Sequence, residues 1–294
     1  LLNTATSICL SAPAKLNVFL EVLGKRDDGF HELESVMLRT DLCDVLHFEA
    51  TSDDQLTLRV ANSDPTHVAA DFPLDESNLI LRAARALQQA TASTLGAAIT
   101  IDKRIPAEAG LAGGSSNAAT TLLGLNQLWN LKLPKSELHR LAATLGSDVN
   151  FFVEDCRAAV CRGRGEQIEP IPMAGSLSFV VARPPVGNST PDVFRRLGPA
   201  YEHRSFQPVS DVLASGRLQN LADVAYNRLT EPARSLNPGM AKLMQQMNER
   251  CSRPVFMSGS GSTCFLIAHT PREARRMLTP LVGLNTAFLA VVRI

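Results

Sequence analysis

Residues 105–119 read Ile-Pro-Ala-Glu-Ala-Gly-Leu-Ala-Gly-Gly-Ser-Ser-Asn-Ala-Ala, and the fold turns on how this stretch is taken. Gly110, Gly113 and Gly114 permit positive φ and close approach of backbone to a ligand. From Asn117 to Trp129, Ala118, Ala119, Leu122, Leu123 and Leu125 fall at helical spacing. A loop of small residues running into a helix N-terminus offers unpaired N–H groups and the positive end of the helix dipole, which attract anions. Ser115 and Ser116 add hydroxyls suited to phosphate oxygens or to a Mg2+ carried by a nucleotide. An ordinary Gly/Ser turn capping a core helix has the same composition, so the stretch alone does not decide function. No Lys-Ser/Thr pair follows the glycines, as a Walker A loop requires, and the motif set of the protein kinases is absent.

Upstream, β-rich or alternating runs at 15–23, 35–40, 45–49 and 55–60 predict an opening meander of strands. The pattern turns helical over 75–90, through Asn78, Leu79, Leu81, Ala84, Leu87 and Gln88, with Asp75 or Ser77 as the expected cap, and returns to strand at 97–101. Downstream, a helix is expected over 134–145, with Pro134 at a permitted first-turn position. Strands follow at 158–161, 178–182, 254–257, 264–268 and 287–292, and helices near 191–197, 239–249 and 272–281. The class is α+β or α/β. At 294 residues the chain reaches the size at which single cores stop growing. Two domains are therefore expected, 1–170 and 171–294, divided at the Pro/Gly-containing stretch 170–175.

Formal charge balances at zero, so no global field draws the chain to nucleic acid or anionic lipid, and any anion site is local. The longest apolar runs, 179–182 and 287–292, fall far short of a bilayer span, so no membrane partner is expected. Cys9, Cys43, Cys156, Cys161, Cys251 and Cys264 show neither CxxC pairs nor zinc spacing; reduced thiols in a cytoplasm fit them. Residues 1–11 lack the basic start and long apolar stretch of a signal peptide, and a start at Leu rather than Met points to a few missing residues. Monomer and homodimer both stay open.

Three other segments carry chemistry. In Ser-Ala-Pro-Ala-Lys-Leu-Asn, 11–17, strand alternation puts Lys15 and Asn17 on one face, although a strand-edge Lys is usually solvated. In Leu-Gly-Ser-Asp-Val-Asn, 145–150, Asp148 comes after a helix and a Gly, a place more often filled by an N-cap than by a catalyst. Met-Ser-Gly-Ser-Gly-Ser-Thr, 257–263, lies between two apolar runs and by itself reads as a tight hairpin.

Taken in order, these segments and the 105–119 stretch closely resemble the signature motifs of the GHMP kinases. The resemblance covers nearly the whole chain. Gly-Lys-Arg-Asp-Asp-Gly-Phe-His-Glu-Leu at 24–33, with Arg-Gly-Arg-Gly-Glu at 162–166 and the run 185–194, resembles the branch whose acceptor is a cytidine-diphosphate-linked small alcohol. It implies a two-domain α+β architecture: a ribosomal-S5-like N-terminal domain and a ferredoxin-like C-terminal domain, with the active site in the cleft between. It implies ATP with Mg2+, a small-molecule acceptor and no nucleic acid.

By the same resemblance Asp148 accepts or orients the proton of the acceptor hydroxyl, and Lys15 holds that carboxylate ionised. Pro106, Gly110, Leu111, Ala112, Gly113, Gly114, Ser115 and Ser116 wrap the ATP phosphates, Ser116 being the candidate Mg2+ ligand. Asn78, Leu79 and Lys103 line the adenosine pocket. Asn17 and Asp148 hold the sugar-alcohol part of the acceptor, Phe30 and Phe194 sandwich the base, and His31 reads its edge. Three positions depart from the family pattern: Phe30 where Tyr is usual, Glu108 where a small residue is common, and Asn150 in place of Pro. Rival readings are a GHMP kinase for another acceptor, such as homoserine or mevalonate, and a nucleotide-binding relative without turnover. An RNA-binding protein built on the S5-like half is a third, disfavoured by the neutral charge balance.

Overall fold

The computed structural model describes residues 6–61, 72–198 and 202–294. The first five residues, on which part of the N-terminal reading rests, lie outside them. In chain order the elements are β1 Ser7–Lys25, β2 His31–Thr51, β3 Leu56–Val60, α1 Leu79–Thr91, β4 Gly96–Asp102, α2 Gly113–Leu128, α3 Lys135–Leu145, α4 Val149–Val153, β5 Ala158–Gly163 and β6 Gln167–Pro170. Then come β7 Ser178–Arg183, α5 Thr190–Arg195, α6 Gln207–Ser215, α7 Leu221–Val224, β8 Tyr226–Asn227, α8 Thr230–Leu236, α9 Pro238–Cys251, β9 Phe256–Met257, β10 Cys264–Ala268, α10 Pro271–Leu278 and β11 Phe288–Arg293. The chain is α+β, as expected. No helix among the described residues is long and apolar enough to cross a membrane.

Two compact units are interleaved in the sequence. The first draws its described residues from Leu1–Ala14, Leu42–Ala107 and Ala112–Asp155. Here β4 pairs antiparallel with the second half of β2, from Val45 opposite Asp102 to Thr51 opposite Gly96, and parallel with β3. α1 packs along α2, and α4 along α2 and α3. The core takes one side of each element: Leu46 and Phe48 from β2, Ile99 and Ile101 from β4, Ile80 and Leu87 from α1, and Leu122 and Leu125 from α2 are all wholly buried. The cap of α1 corrects the sequence reading. Asn78, not Asp75 or Ser77, is the N-cap, its Oδ1 accepting from Ile80 N at 2.9 Å, while Asp75 Oδ1 accepts from Ser77 N in the turn before it.

The second unit comprises the described residues of Lys15–Asp41, Glu108–Leu111 and Cys156–Ile294. Its four-stranded antiparallel sheet has the order β11-β7-β10-β9. α9 contributes Met240, Leu243, Met244 and Met247 to a core that also takes Val180 and Ala182 from β7 and Leu266 and Ala268 from β10. The first half of β2 pairs antiparallel with β5, and β5 with β6. β8 lies parallel to β1, with Phe19 opposite Tyr226 and Leu20 opposite Asn227.

One charge is built into this second core. The Glu21 side chain is wholly buried; it accepts from Arg228 at 2.7 and 3.0 Å, from Val22 N at 2.9 Å and from Arg204 N at 3.0 Å. Burial pushes its carboxyl up, but the Arg228 guanidinium and the two backbone N–H groups outweigh burial and hold it below the ordinary value. A depressed folded pKa gives stability that is present above the unfolded value, about 4.3, and lost as pH falls through the folded one. Removing one partner of a buried pair costs about 3–5 kcal/mol; Arg228 keeps partial solvent access, so Glu21→Gln is expected to cost about 2 kcal/mol at neutral pH. Urea unfolding of the two proteins at pH 7 and pH 3.5 checks this. The gap is to narrow at the lower pH, and an equal gap at both excludes the ionised carboxylate as its source.

Candidate active site

In the second unit, β1 carries Lys15 and Asn17 on one face, and both are almost fully buried. Lys15 Nζ donates to Asn17 Oδ1 at 2.5 Å, and Asn17 Nδ2 donates to Ser35 Oγ at 2.7 Å. Lys15 N donates to Leu111 O at 3.1 Å, which ties β1 to the start of the glycine stretch. Ser258 Oγ accepts from Asn17 N at 3.2 Å and donates to Gly110 O at 2.9 Å, while Thr263 N donates to Ala109 O at 3.1 Å. Lys15, Asn17, Gly110 and the 258–263 loop therefore form one hydrogen-bonded cluster. Gly110 has φ +72°, and a Cβ there would collide with the carbonyl oxygens of Ser258 and Gly261. At Gly259, φ +58°, a Cβ would lie 3.3 Å from Lys15 Nζ.

The aromatic residues expected to sandwich a base each contact another side chain. Phe30 follows a tight turn in which Arg26 N donates to Phe30 O and Gly29 N to Arg26 O, and it is half exposed. The Arg164 guanidinium lies 4.9 Å from the centre of its ring. Phe194 instead stacks on His31, with centroids 4.7 Å apart and planes at 27°. Burial, and then the charge of Lys25, hold the His31 imidazole below its ordinary pKa and so favour the neutral ring.

In the first unit the glycine stretch becomes helix sooner than its composition predicts. α2 starts at Gly113, not Asn117, so Ser115 and Ser116 sit in its first turn, behind an Ala112 that takes the left-handed conformation at φ +55°. Lys103 is buried beneath this turn: a Cβ on Gly113 would lie 3.4 Å from Lys103 Nζ. The ammonium pairs with Asp44 Oδ2 at 2.9 Å and donates to Ile105 O. Asp44 Oδ1 accepts from Arg104 N and Ile105 N at 2.7 and 2.8 Å, fixing the segment that leads to the buried Pro106. Burial lowers the Lys103 pKa more than Asp44 raises it.

The Asn78 amide is committed to capping α1 and to Pro73 O. Leu79 approaches Gly114, where a Cβ would meet Leu79 Cδ1 at 3.5 Å. Ser116 Oγ and Asn117 Oδ1 are buried without a hydrogen-bond partner, and an orphaned hydroxyl at a helix start fits an oxygen or cation ligand. Asp148 occupies the N-cap position of α4, but its side chain makes no capping hydrogen bond. The helix itself anchors it, since Val149, Phe151, Phe152 and Val153 are all buried. A Cβ on Gly146, two residues before Asp148, would lie 4.0 Å from Ser115 Oγ.

Sequence reasoning missed three participants. Asp44 carries no motif, Arg164 stands only in a stretch matched by resemblance, and Ser258 reads as part of a hairpin. The hairpin exists, Met257 pairing with Cys264; the sequence hides the direction of its serine.

Comparison with known proteins gives the family. The family model described as GHMP kinases N terminal domain matches residues 78–155, and the one described as GHMP kinases C terminal matches 210–282. The chain is 38% identical over 285 residues to the 4-diphosphocytidyl-2-C-methyl-D-erythritol kinase of Bacillus cereus (strain B4264), covering 97% of this chain and 96% of that one. The enzyme of the same name from Bacillus anthracis (strain CDC 684 / NRRL 3495) gives the same identity and coverage. A crystal structure of 4-(cytidine 5'-diphospho)-2C-methyl-D-erythritol kinase superposes with a TM-score of 0.77 at 33% identity, over 97% of this chain and 99% of that one. Homoserine kinase from Cytophaga hutchinsonii, at TM-score 0.72 and 17% identity over 100% of this chain and 96% of that one, shares the fold. The chain belongs to the GHMP kinases, in the family of the 4-diphosphocytidyl-2-C-methyl-D-erythritol kinases.

Proposed function

We propose that the chain transfers the γ-phosphoryl group of ATP to the 2-hydroxyl of 4-diphosphocytidyl-2-C-methyl-D-erythritol, giving the 2-phosphate and ADP, in non-mevalonate isoprenoid precursor synthesis. The observation that carries this reading is the hydrogen-bonded cluster of Lys15, Asn17, Gly110 and Ser258. It holds a cation and an amide against the start of a glycine stretch that leads into a helix N-terminus. Phosphoryl transfer needs little covalent chemistry from the protein; positioning and charge stabilisation supply most of the catalysis.

In this reading Asp148 takes or orients the proton of the acceptor hydroxyl, and Lys15 stabilises charge near the transferring group. Pro106, Gly110, Leu111, Ala112, Gly113, Gly114 and Ser115 surround the phosphates; Lys103 belongs with the adenosine side, its ammonium lying beneath Gly113. The Ser116 hydroxyl, buried without a hydrogen-bond partner, would be the protein ligand of a nucleotide-borne Mg2+, which would supply charge neutralisation at the phosphates. Asn78 and Leu79 line the adenosine side, Asn78 through its capped helix end. Asn17 serves the sugar-alcohol portion of the acceptor, while Phe30, Phe194 and His31 serve the base. The halves 1–170 and 171–294 are proposed as an N-terminal ATP-binding, S5-like domain and a C-terminal GHMP kinase domain; the two family models fall on either side of that division. A reducing cytoplasmic compartment suits the six free cysteines, among which burial pushes the Cys264 thiol up to about 12.

The test is ADP release with Mg·ATP and four acceptors at equal concentration: the cytidyl substrate, mevalonate, homoserine and galactose. Turnover with the first alone is expected. Turnover with another acceptor keeps the family and discards the base clamp, and silence with all four from folded protein refutes the reading. Phe30→Ala isolates the clamp. Phe30 is half exposed, so truncation should barely change stability, whereas losing one base–aromatic stack, about 1–3 kcal/mol, should raise the acceptor KM about tenfold with kcat nearly kept. An unchanged acceptor KM rules out Phe30 as part of the clamp.

A further inference from the structure

The 258–262 loop has no side chain of its own large enough to hold its shape, and Gly259 and Gly261 both take positive φ, a conformation that glycine permits but does not enforce. Its shape comes from outside. Asn227, buried at the end of β8, donates from Nδ2 to Met257 O and to Gly259 O, both at 2.8 Å, and accepts at Oδ1 from Leu229 N at 2.9 Å. Both of its amide hydrogens and one acceptor site are thus used, a combination that only a carboxamide of this length supplies. Asn227 is itself fixed, because β8 pairs with β1 opposite Leu20, and Arg228 N donates to Leu20 O at 2.9 Å. On the other flank Asn188 Nδ2 donates to Ser260 O at 2.9 Å and is held through its Oδ1 by Asn237 Nδ2 at 2.8 Å. The carbonyls of Met257, Gly259 and Ser260 are therefore drawn towards two asparagines, while Ser258 engages Asn17 and Gly110 and the Gly259 backbone lies against Lys15.

We propose that Asn227 is a positioning residue for phosphoryl transfer: it sets the 258–262 loop, and through the loop the placement of Lys15, Asn17 and Gly110. The inference rests on the reading of Lys15 as a member of the catalytic pair. In Asn227→Asp a carboxylate of the same shape faces two carbonyl oxygens in place of two N–H bonds, so the loop loses its anchor while the volume is kept.

The test combines amide hydrogen exchange with steady-state kinetics on Asn227→Asp. Ser258 N, Gly261 N and Thr263 N, which donate to Thr263 O, Ser258 O and Ala109 O in the intact loop, are expected to exchange at least tenfold faster. Amides of β7 and β10 keep their wild-type protection, which shows that the unit is folded. kcat is expected to fall at least tenfold, while the KM values for ATP and acceptor, whose binding Gly110 and Asn17 serve, rise by less than that. That split separates displaced reacting groups from general loosening. Unchanged exchange in the loop overturns the proposal whatever the activity, and faster exchange with kcat within twofold overturns its catalytic part. If wild type fails to turn over the acceptor, the catalytic reading falls, and exchange alone still decides whether Asn227 holds the loop. Asn227→Ser, judged by the same criteria, replaces the aspartate variant if that one does not fold.

Discussion

Replacing Asp148 by asparagine is expected to lower kcat by about three orders of magnitude while ATP binding stays within about twofold of wild type. General base assistance contributes about 10²–10⁴-fold, and asparagine keeps the shape of the side chain without its capacity to take a proton. The α4 helix should persist. Asp148 makes no capping bond to α4, and that helix is held by Val149, Phe151, Phe152 and Val153. Nucleotide titration by calorimetry alongside the ADP-release assay separates the two effects. Unchanged turnover removes Asp148 from the catalytic pair, and a parallel loss of ATP binding makes it a nucleotide-site residue instead.

The second large effect is expected at Gly110. A Cβ at φ +72° is strained for any L-residue, by about 1–2 kcal/mol, and here it would also drive into the Ser258 and Gly261 carbonyls. The Ser258 carbonyl cannot yield easily, because it accepts from Gly261 N at 2.9 Å within the same tight turn. Gly110→Ala should therefore push the glycine stretch away from Ser258 and cut kcat/KM for ATP at least a hundredfold, more than strain alone explains. Gly198→Ala, where a Cβ meets nothing within 4 Å, serves as the control. Equal kcat/KM values for the two variants would show that contact between Gly110 and the 258–261 turn is not needed for nucleotide use.

Much of the fold was legible because period and punctuation agree. The core strands β7 and β10, the helices α3 and α9, and the same-face placement of Lys15 and Asn17 all follow from alternation or helical spacing. The rest failed for identifiable reasons. β2 is one strand from His31 to Thr51, but polar residues at Asp41 and Asp44 break its apolar pattern, so it reads as two. Asp44 earns its place by receiving Lys103 and two backbone N–H groups, a long-range role with no local signal. α4 is five residues long and buried on all sides, too short to show a period. The two adjacent glycines that look like loop are the opening turn of α2, because Ala112 makes the left-handed bend before them. Around the candidate site, the pairings of side chains were not readable. Phe194 stacks on His31 and Phe30 meets Arg164, contacts between residues far apart in sequence that no local pattern announces.

The stack of His31 on Phe194 has a consequence for how a base would be received. In the proposed clamp one face of Phe194 is already covered by the protein's own imidazole, so a heterocycle using that face would compete with it rather than settle on wet hydrocarbon. The apolar face of Phe194 has left water before the ligand arrives, and the heat-capacity change of binding, which tracks newly buried apolar surface, should be correspondingly small. The affinity measured would then be a difference between two stacking energies. On that footing a replacement of His31 that uncovers Phe194 would strengthen the stack even as it removes the ring proposed to read the base's edge, so tightness and selectivity would move in opposite directions.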